Sequence, residues 1–62
     1  MPISGKEMLH RYQEFGWKLL RVRGSHFILE KGWDRESIPI HGNRDLAIGL
    51  EHKLLKHLEE SK

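Results

Sequence analysis

Cysteine is absent from this 62-residue sequence. Its absence excludes a disulfide framework, a thiolate metal site and a cysteine nucleophile, and a small fold without disulfides fits a reducing cytosol. Long apolar runs are also missing. No stretch approaches the ~20 apolar residues of a membrane-spanning helix, and the N-terminus lacks the apolar run of a signal peptide. We therefore expect a soluble, cytoplasmic protein without a membrane partner.

The chain is too short for more than one domain, so we predict a single domain over residues 1–62. A domain of this size buries only about 60% of the surface that its unfolded chain exposes. A large cavity that encloses a substrate is therefore not expected.

Neither sign of charge dominates, because eleven Lys and Arg stand against nine Asp and Glu. Such a small positive excess permits a phosphate-bearing partner without requiring one. The placement of the charges is uneven, with cations in the middle of the chain and acids near its end. The cations of the middle are Lys18, Arg21, Arg23, Lys31, Arg35 and Arg44.

The first predicted element is a helix that begins after Ser4. Ser4 and Glu7 have the spacing of a capping box, in which the hydroxyl accepts from the Glu7 N–H and the carboxylate reaches back to the Ser4 N–H. Ile3 and Met8 are spaced for the hydrophobic staple that often accompanies this cap. Gly16 predicts a left-handed C-terminal cap. The residues expected in the core from this region are Met8, Leu9, Tyr12 and Phe15, with Trp17 closing back on Tyr12.

Three strands are predicted to follow the helix, over residues 17–23, 26–31 and 37–41. Gly24-Ser25 makes a tight reversal, which predicts an antiparallel hairpin between the first two strands. A second turn is expected over residues 32–36. Because proline cannot donate to a ladder, Pro39 indicates that the third strand lies at an edge or has its N–H side free. One predicted face of the first strand carries Trp17, Leu19, Arg21 and Arg23.

A second helix is predicted from about Ala47 to Glu60, after a turn cluster over residues 42–45. Each helix has one apolar stripe to bury, so both are expected on the same face of the sheet. The predicted fold is therefore α+β, a small α-β-β-β-α domain with a three-stranded antiparallel sheet. The apolar positions of the second helix are Ala47, Leu50, Leu54, Leu55 and Leu58.

Short motifs run through nearly the whole chain in a fixed order. They are Ser4-Gly5-Lys6-Glu7, Gly16-Trp17, Arg21, Arg23-Gly24-Ser25-His26, Ile38-Pro39-Ile40-His41-Gly42-Asn43, Asp45-Leu46 and Gly49. Each is common alone, but the ordered set resembles the HicA toxin family. The resemblance implies a toxin of a toxin–antitoxin pair, an mRNA interferase with a double-stranded-RNA-binding-domain-like fold. It also implies neutralisation by a HicB-type antitoxin.

The resemblance places the catalytic histidine of the family's Gly-Ser-His motif at His26. The chemistry is reasonable because RNA carries its own nucleophile, so a base that takes the proton of a 2′-hydroxyl is sufficient and neither metal nor cofactor is needed. An imidazole with the ordinary histidine pKa of about 6.5 suits this task near neutral pH. Without the resemblance, His26 would be read as a polar residue that starts a strand.

Arginines near the motif are the candidates for binding RNA phosphates. Arg21 and Arg23 suit this role because a guanidinium binds phosphate with two parallel hydrogen bonds. Lys6 and Arg44 are weaker candidates, for which ordinary solvated charge is an equally good interpretation. Ser25 of the Gly-Ser-His motif completes the predicted RNA-binding set.

His41 is the candidate for a second acid or base that protonates the leaving 5′-oxygen. The simpler interpretation is a histidine at a strand end that caps the turn at Gly42-Asn43. His26, His41 and Asp45 lack a compact metal-ligand spacing, so no metal site is predicted. The other histidines, expected at helix surfaces without a role, are His10, His52 and His57.

Two other functions stay open from the sequence. One is a non-catalytic double-stranded-RNA-binding module, since the same type of fold binds RNA without cutting it. The other is a degenerate toxin that persists as an interaction partner. Trp33, alone in a predicted turn, is a candidate to stack on a base or to contact the antitoxin.

Overall fold

The computed structural model describes residues 2–62 and has the predicted α-β-β-β-α order. Helix α1 (Gly5–Glu14) precedes strands β1 (Lys18–Arg23), β2 (His26–Lys31) and β3 (Asp34–Pro39), and helix α2 (Ile48–Glu60) follows them. The strands form one antiparallel sheet in the order β1-β2-β3. The α+β prediction is confirmed, as is the edge position that Pro39 gives to β3. Neither helix within residues 2–62 is long and apolar enough to cross a membrane.

Helix α1 begins at the predicted cap. The Ser4 hydroxyl accepts a hydrogen bond from the Glu7 N–H at 3.1 Å. The Glu7 carboxylate turns forward to Arg11, at 3.4 Å, so only half of the predicted capping box forms within the described residues. At the other end Gly16 has φ of 93°, the left-handed conformation expected after a helix.

One hydrophobic core joins the two helices to a single face of the sheet. Leu29 of β2 and Ile38 of β3 lie on that face, because Ile38 pairs with Phe27, two residues from Leu29. The Tyr12 hydroxyl donates to the Leu54 carbonyl at 2.6 Å, and its ring meets Trp17 edge-on at 5.0 Å. The core residues from the helices and the loops beside them are Ile3, Met8, Leu9, Tyr12, Trp17, Leu46, Leu54 and Leu58.

Phe15 is not part of this core, which corrects the prediction. The helix ends at Glu14, and Phe15 is the C-cap residue with φ of −100°. Because the backbone is no longer helical at this residue, the Phe15 side chain does not line up with the buried residues of α1, and it is 41% exposed. The Lys62 ammonium lies 4.7 Å from the centre of its ring.

Strand β3 begins three residues earlier and ends two residues earlier than predicted. Lys31 pairs directly with Asp34, so the turn is only Gly32-Trp33. The charged residues Asp34, Arg35 and Glu36 were predicted to lie in a turn, but in the structure they pair with residues of β2. Arg35 binds Glu30 on the neighbouring strand at 3.1 Å.

A β-bulge in β1 corrects the predicted faces of this strand. Leu19 pairs with Leu29, but the next registered pair is Arg21 with Ile28, so one extra residue lies between them. The extra residue reverses the alternation. Leu19 therefore faces the helices, whereas Arg21 and Arg23 face away from them. The sheet face away from the helices, here called the open face, carries Lys18, Arg21, Arg23, His26, Ile28, Glu30, Arg35, Ser37 and Pro39.

Two buried or half-buried polar residues of α2 connect distant parts of the chain. Glu51 is 6% exposed, and its carboxylate accepts from the Ile3 N–H at 2.9 Å. His57 is not the free surface residue that was predicted. Its Nδ1 lies 2.6 Å from the Glu36 carboxylate of β3, and its ring lies 5.3 Å from that of Trp17. Both residues hold α2 in place.

Gly5 allows α1 to approach the end of β3 very closely. A Cβ atom at this position would overlap the Pro39 carbonyl oxygen and would lie 2.9 Å from a side-chain carbon of Ile40. The carbonyl cannot move without disturbing the strand. The position therefore requires glycine for space.

We predict that Gly5→Ala destabilises the protein by about 1–3 kcal/mol, the usual cost of overpacking. Gly49→Ala is the matched control, because a Cβ atom there meets nothing within 4 Å. That change should stabilise α2 by roughly 0.5 kcal/mol, since it restricts the unfolded chain. Urea unfolding of the three proteins measures both effects. Equal stability of the Gly5→Ala variant and the wild type would contradict the close approach.

We also predict a loss of stability in alkali that depends on Tyr12, the single tyrosine of the chain. Burial, with a smaller contribution from the Glu36 charge, raises the pKa of this hydroxyl well above its ordinary value. Above pH about 10 the unfolded chain ionises at this residue while the folded one does not, so the free energy of unfolding falls with rising pH.

The variant Tyr12→Phe should lose about 1 kcal/mol at neutral pH with its hydrogen bond. It should also show a weaker decline than the wild type between pH 9 and pH 11, measured by urea unfolding. Parallel declines in the two proteins would contradict the role of Tyr12.

Candidate active site

His26 is the first residue of β2 and lies directly after the turn at Gly24-Ser25. It pairs with Arg23 across the hairpin and with Pro39 on β3, so strands on both sides fix its backbone. Gly24 supplies the positive φ, 59°, that the reversal needs. The His26 side chain is exposed and lies on the open face, where a large substrate can reach it.

Ser37 is the side chain that contacts the His26 ring. Its hydroxyl oxygen lies 3.4 Å from His26 Nδ1, and it sits diagonally across from His26 on β3. Arg23, His26, Ile28 and Ser37 together line a shallow depression of about 410 Å³. Sequence reasoning missed Ser37 because the predicted third strand began at this residue, which left its position relative to His26 undefined.

The two arginines lie on the same face as His26. Arg23 is its cross-strand neighbour, and Arg21 is opposite Ile28, two residues further along β2. Both side chains are exposed, and within residues 2–62 neither forms an ion pair. Their guanidinium groups are therefore available for an anionic ligand, unlike that of Arg35, which is bound to Glu30.

The remaining predicted site residues lie elsewhere or contribute through the backbone. Ser25 is half-buried in the turn, and its carbonyl accepts from the Ile40 N–H at 2.8 Å. Lys6 is exposed on the first turn of α1. His41 lies beyond the end of β3, and with Arg44 it lines a separate hollow of about 230 Å³. The structure thus groups His26 with Arg21 and Arg23, but not with His41 or Arg44.

The described residues contain no cluster of three or more His, Asp or Glu side chains placed to hold a metal ion. On the open face, the groups available to a ligand are the His26 imidazole, the Ser37 hydroxyl, the guanidinium groups of Arg21 and Arg23, and the Lys18 ammonium. Such groups can bind a phosphate and move a proton beside it.

Fold and site together define a small α+β protein with an exposed histidine beside unpaired arginines on an antiparallel sheet. A family model described as "HicA toxin of bacterial toxin-antitoxin" matches residues 5–59 of the chain. The protein therefore belongs to the HicA toxin family, as the motifs predicted, and membership implies an antitoxin partner. No curated protein and no solved structure matches the chain significantly.

Proposed function

We propose that this protein is a metal-independent endoribonuclease that cleaves mRNA, with His26 as its general base, and that a HicB-type antitoxin neutralises it. The observation that carries the proposal is the exposed His26 ring beside unpaired arginines on the open face. A base next to a phosphate-binding group is the minimum that RNA cleavage requires, since the nucleophile belongs to the substrate.

In the proposed reaction, the neutral His26 imidazole takes the proton of a 2′-hydroxyl. The oxygen then attacks the adjacent phosphorus, and the bond between phosphorus and the 5′-oxygen breaks. The products are a 2′,3′-cyclic phosphate and a chain with a 5′-hydroxyl, whose oxygen gains a proton. His41 is the sequence-based candidate for this donor, although it lies outside the depression around His26.

Arg21 and Arg23 are proposed to hold the phosphates on either side of the reacting bond. A guanidinium can donate two hydrogen bonds to one phosphate and offset its charge. The depression beside them is shallow and open, so it cannot enclose a small molecule. Its shape supports a polymer that lies across the sheet as substrate. Ser25, Lys6 and Arg44 are proposed to make further contacts with the RNA.

We expect His26→Ala to keep the fold and to lose RNA cleavage by about 10²–10⁴-fold, the usual contribution of a general base. His10→Ala is the matched control, because His10 is an exposed histidine on α1, and it should cleave like the wild type. The measurement is cleavage of a labelled RNA beside its 2′-deoxy equivalent, which should stay intact.

Undiminished cleavage by the His26→Ala variant would end this assignment. If the wild type binds the RNA and cuts neither substrate, the non-catalytic RNA-binding module is the correct function.

Ser37 is proposed as a positioning residue for His26. When Ser37 Oγ accepts a hydrogen bond from Nδ1–H, the lone pair of Nε2 is left free to take a proton. The same contact persists after protonation, since Nδ1 donates in both states. The 3.4 Å separation is long, so the expected contribution is that of one modest hydrogen bond.

Accordingly, Ser37→Ala should lower kcat roughly fivefold, as expected for about 1 kcal/mol, with KM unchanged. Ser37→Thr keeps the hydroxyl and should restore the rate, whereas Ser37→Val should not. Steady-state cleavage kinetics at neutral pH separate the two constants. A rate equal to that of the wild type in Ser37→Ala, or no rescue by threonine, would contradict the positioning role.

A further inference from the structure

Strand β1 is an open edge of the sheet. It lies at the end of the strand order, and all six of its residues are exposed. Leu20 and Val22 are apolar residues of this strand, and they are 44% and 47% exposed. An unprotected edge of this kind can pair with a strand from another chain.

The opposite edge, β3, is protected. The Ile40 N–H bonds inward to Ser25, and in an antiparallel ladder alternate residues point their backbone groups outward. Two of the outward positions are Ser37 and Pro39. The Ser37 N–H is already bound by the Glu36 carboxylate at 3.0 Å, and Pro39 has no N–H. Another strand therefore finds few free donors at this edge.

The same alternation determines which backbone N–H and C=O groups of β1 are free. Ser37 is opposite Ile28 on β2, and because Ser37 points outward, the backbone groups of Ile28 must point towards β1. Their partner there is Arg21. Val22, the next residue, consequently presents its N–H and C=O to solvent at the outer side of the sheet.

The side chains of β1 determine what kind of strand fits this edge. On the open face they are cationic, whereas Leu19 and Val22 on the helix side are apolar and about half exposed. A second copy of this chain would bring its own cations opposite these, and like charges in cross-strand pairs are destabilising. A strand with acidic residues on one face and apolar residues on the other is complementary. The cations are Lys18, Arg21 and Arg23.

We propose that β1 is the docking edge for the antitoxin, which adds an extended segment of alternating acidic and apolar residues to the sheet. Backbone hydrogen bonds would supply affinity in this mode of recognition, and the alternating side chains would supply specificity. The consequence for activity rests on the proposed function. Acidic side chains beside Arg21 and Arg23 would occupy the groups that RNA phosphates need, so the antitoxin would inhibit by excluding the RNA.

The test uses the cognate antitoxin and the variant Val22→Pro. Proline removes the outward N–H of Val22 and leaves the hydrogen bonds between β1 and β2 in place, because those belong to its neighbours. We expect antitoxin affinity to fall at least about tenfold, by titration calorimetry without RNA. Val22→Ala is the matched control, because it shortens the side chain but keeps the N–H, and it should lose less than about threefold.

Two further measurements keep the test decisive. Cleavage of RNA by Val22→Pro without antitoxin should equal that of the wild type, so failure of the interface and failure of the nuclease assignment are distinguishable. Hydrogen exchange of the Val22 amide in the wild-type chain should be fast when free and slow in the complex, which needs no variant to fold. Unchanged exchange, or unchanged affinity of Val22→Pro, would overturn the proposal. So would a homodimer of the free chain that Val22→Pro dissociates.

Discussion

Two short helices cover one face of the three-stranded sheet and leave the other face to solvent. The rest of the structure depends on this one-sided packing. The covered face carries most of the apolar residues of the sheet, with Leu29 and Ile38 fully buried. The open face must therefore be polar. A small protein in which both faces were covered would have no place to present an arginine row and an exposed histidine on rigid backbone. The site is shallow for the same reason, because neither α1 nor α2 covers the open face.

Local features were predictable from the sequence, whereas distant contacts were not. The Ser4 cap, the Gly16 helix end and the edge position of Pro39 follow from chemistry within a few residues. Glu51 and His57 were missed because their partners lie 48 and 21 residues away. The start of β3 was missed for a related reason. Charged residues after a glycine resemble a loop until their cross-strand partners are known.

Some features of the candidate site were likewise predicted from the sequence, and others were not. The resemblance to a family assigned a role to His26, and the structure adds that its ring is accessible and lies on one face with Arg21 and Arg23. Periodicity alone placed Leu19 and both arginines on the same side of the strand, since no residue type signals a bulge. Ser37 required the correct bounds of β3. Positions relative to a neighbouring strand depend on register, which the sequence of one strand does not contain.

Because of the bulge, β1 contains one residue more than the stretch of β2 with which it pairs. The extra residue, Leu20, lies between Arg21 and the pair formed by Leu19 and Leu29. A chain without Leu20 would form a regular ladder in which Arg21 still opposes Ile28, so both guanidinium groups would stay on the open face. The face that the arginines occupy is therefore set from the Gly24-Ser25 turn, after which the pairs of Arg23 with His26 and of Arg21 with Ile28 follow in regular order.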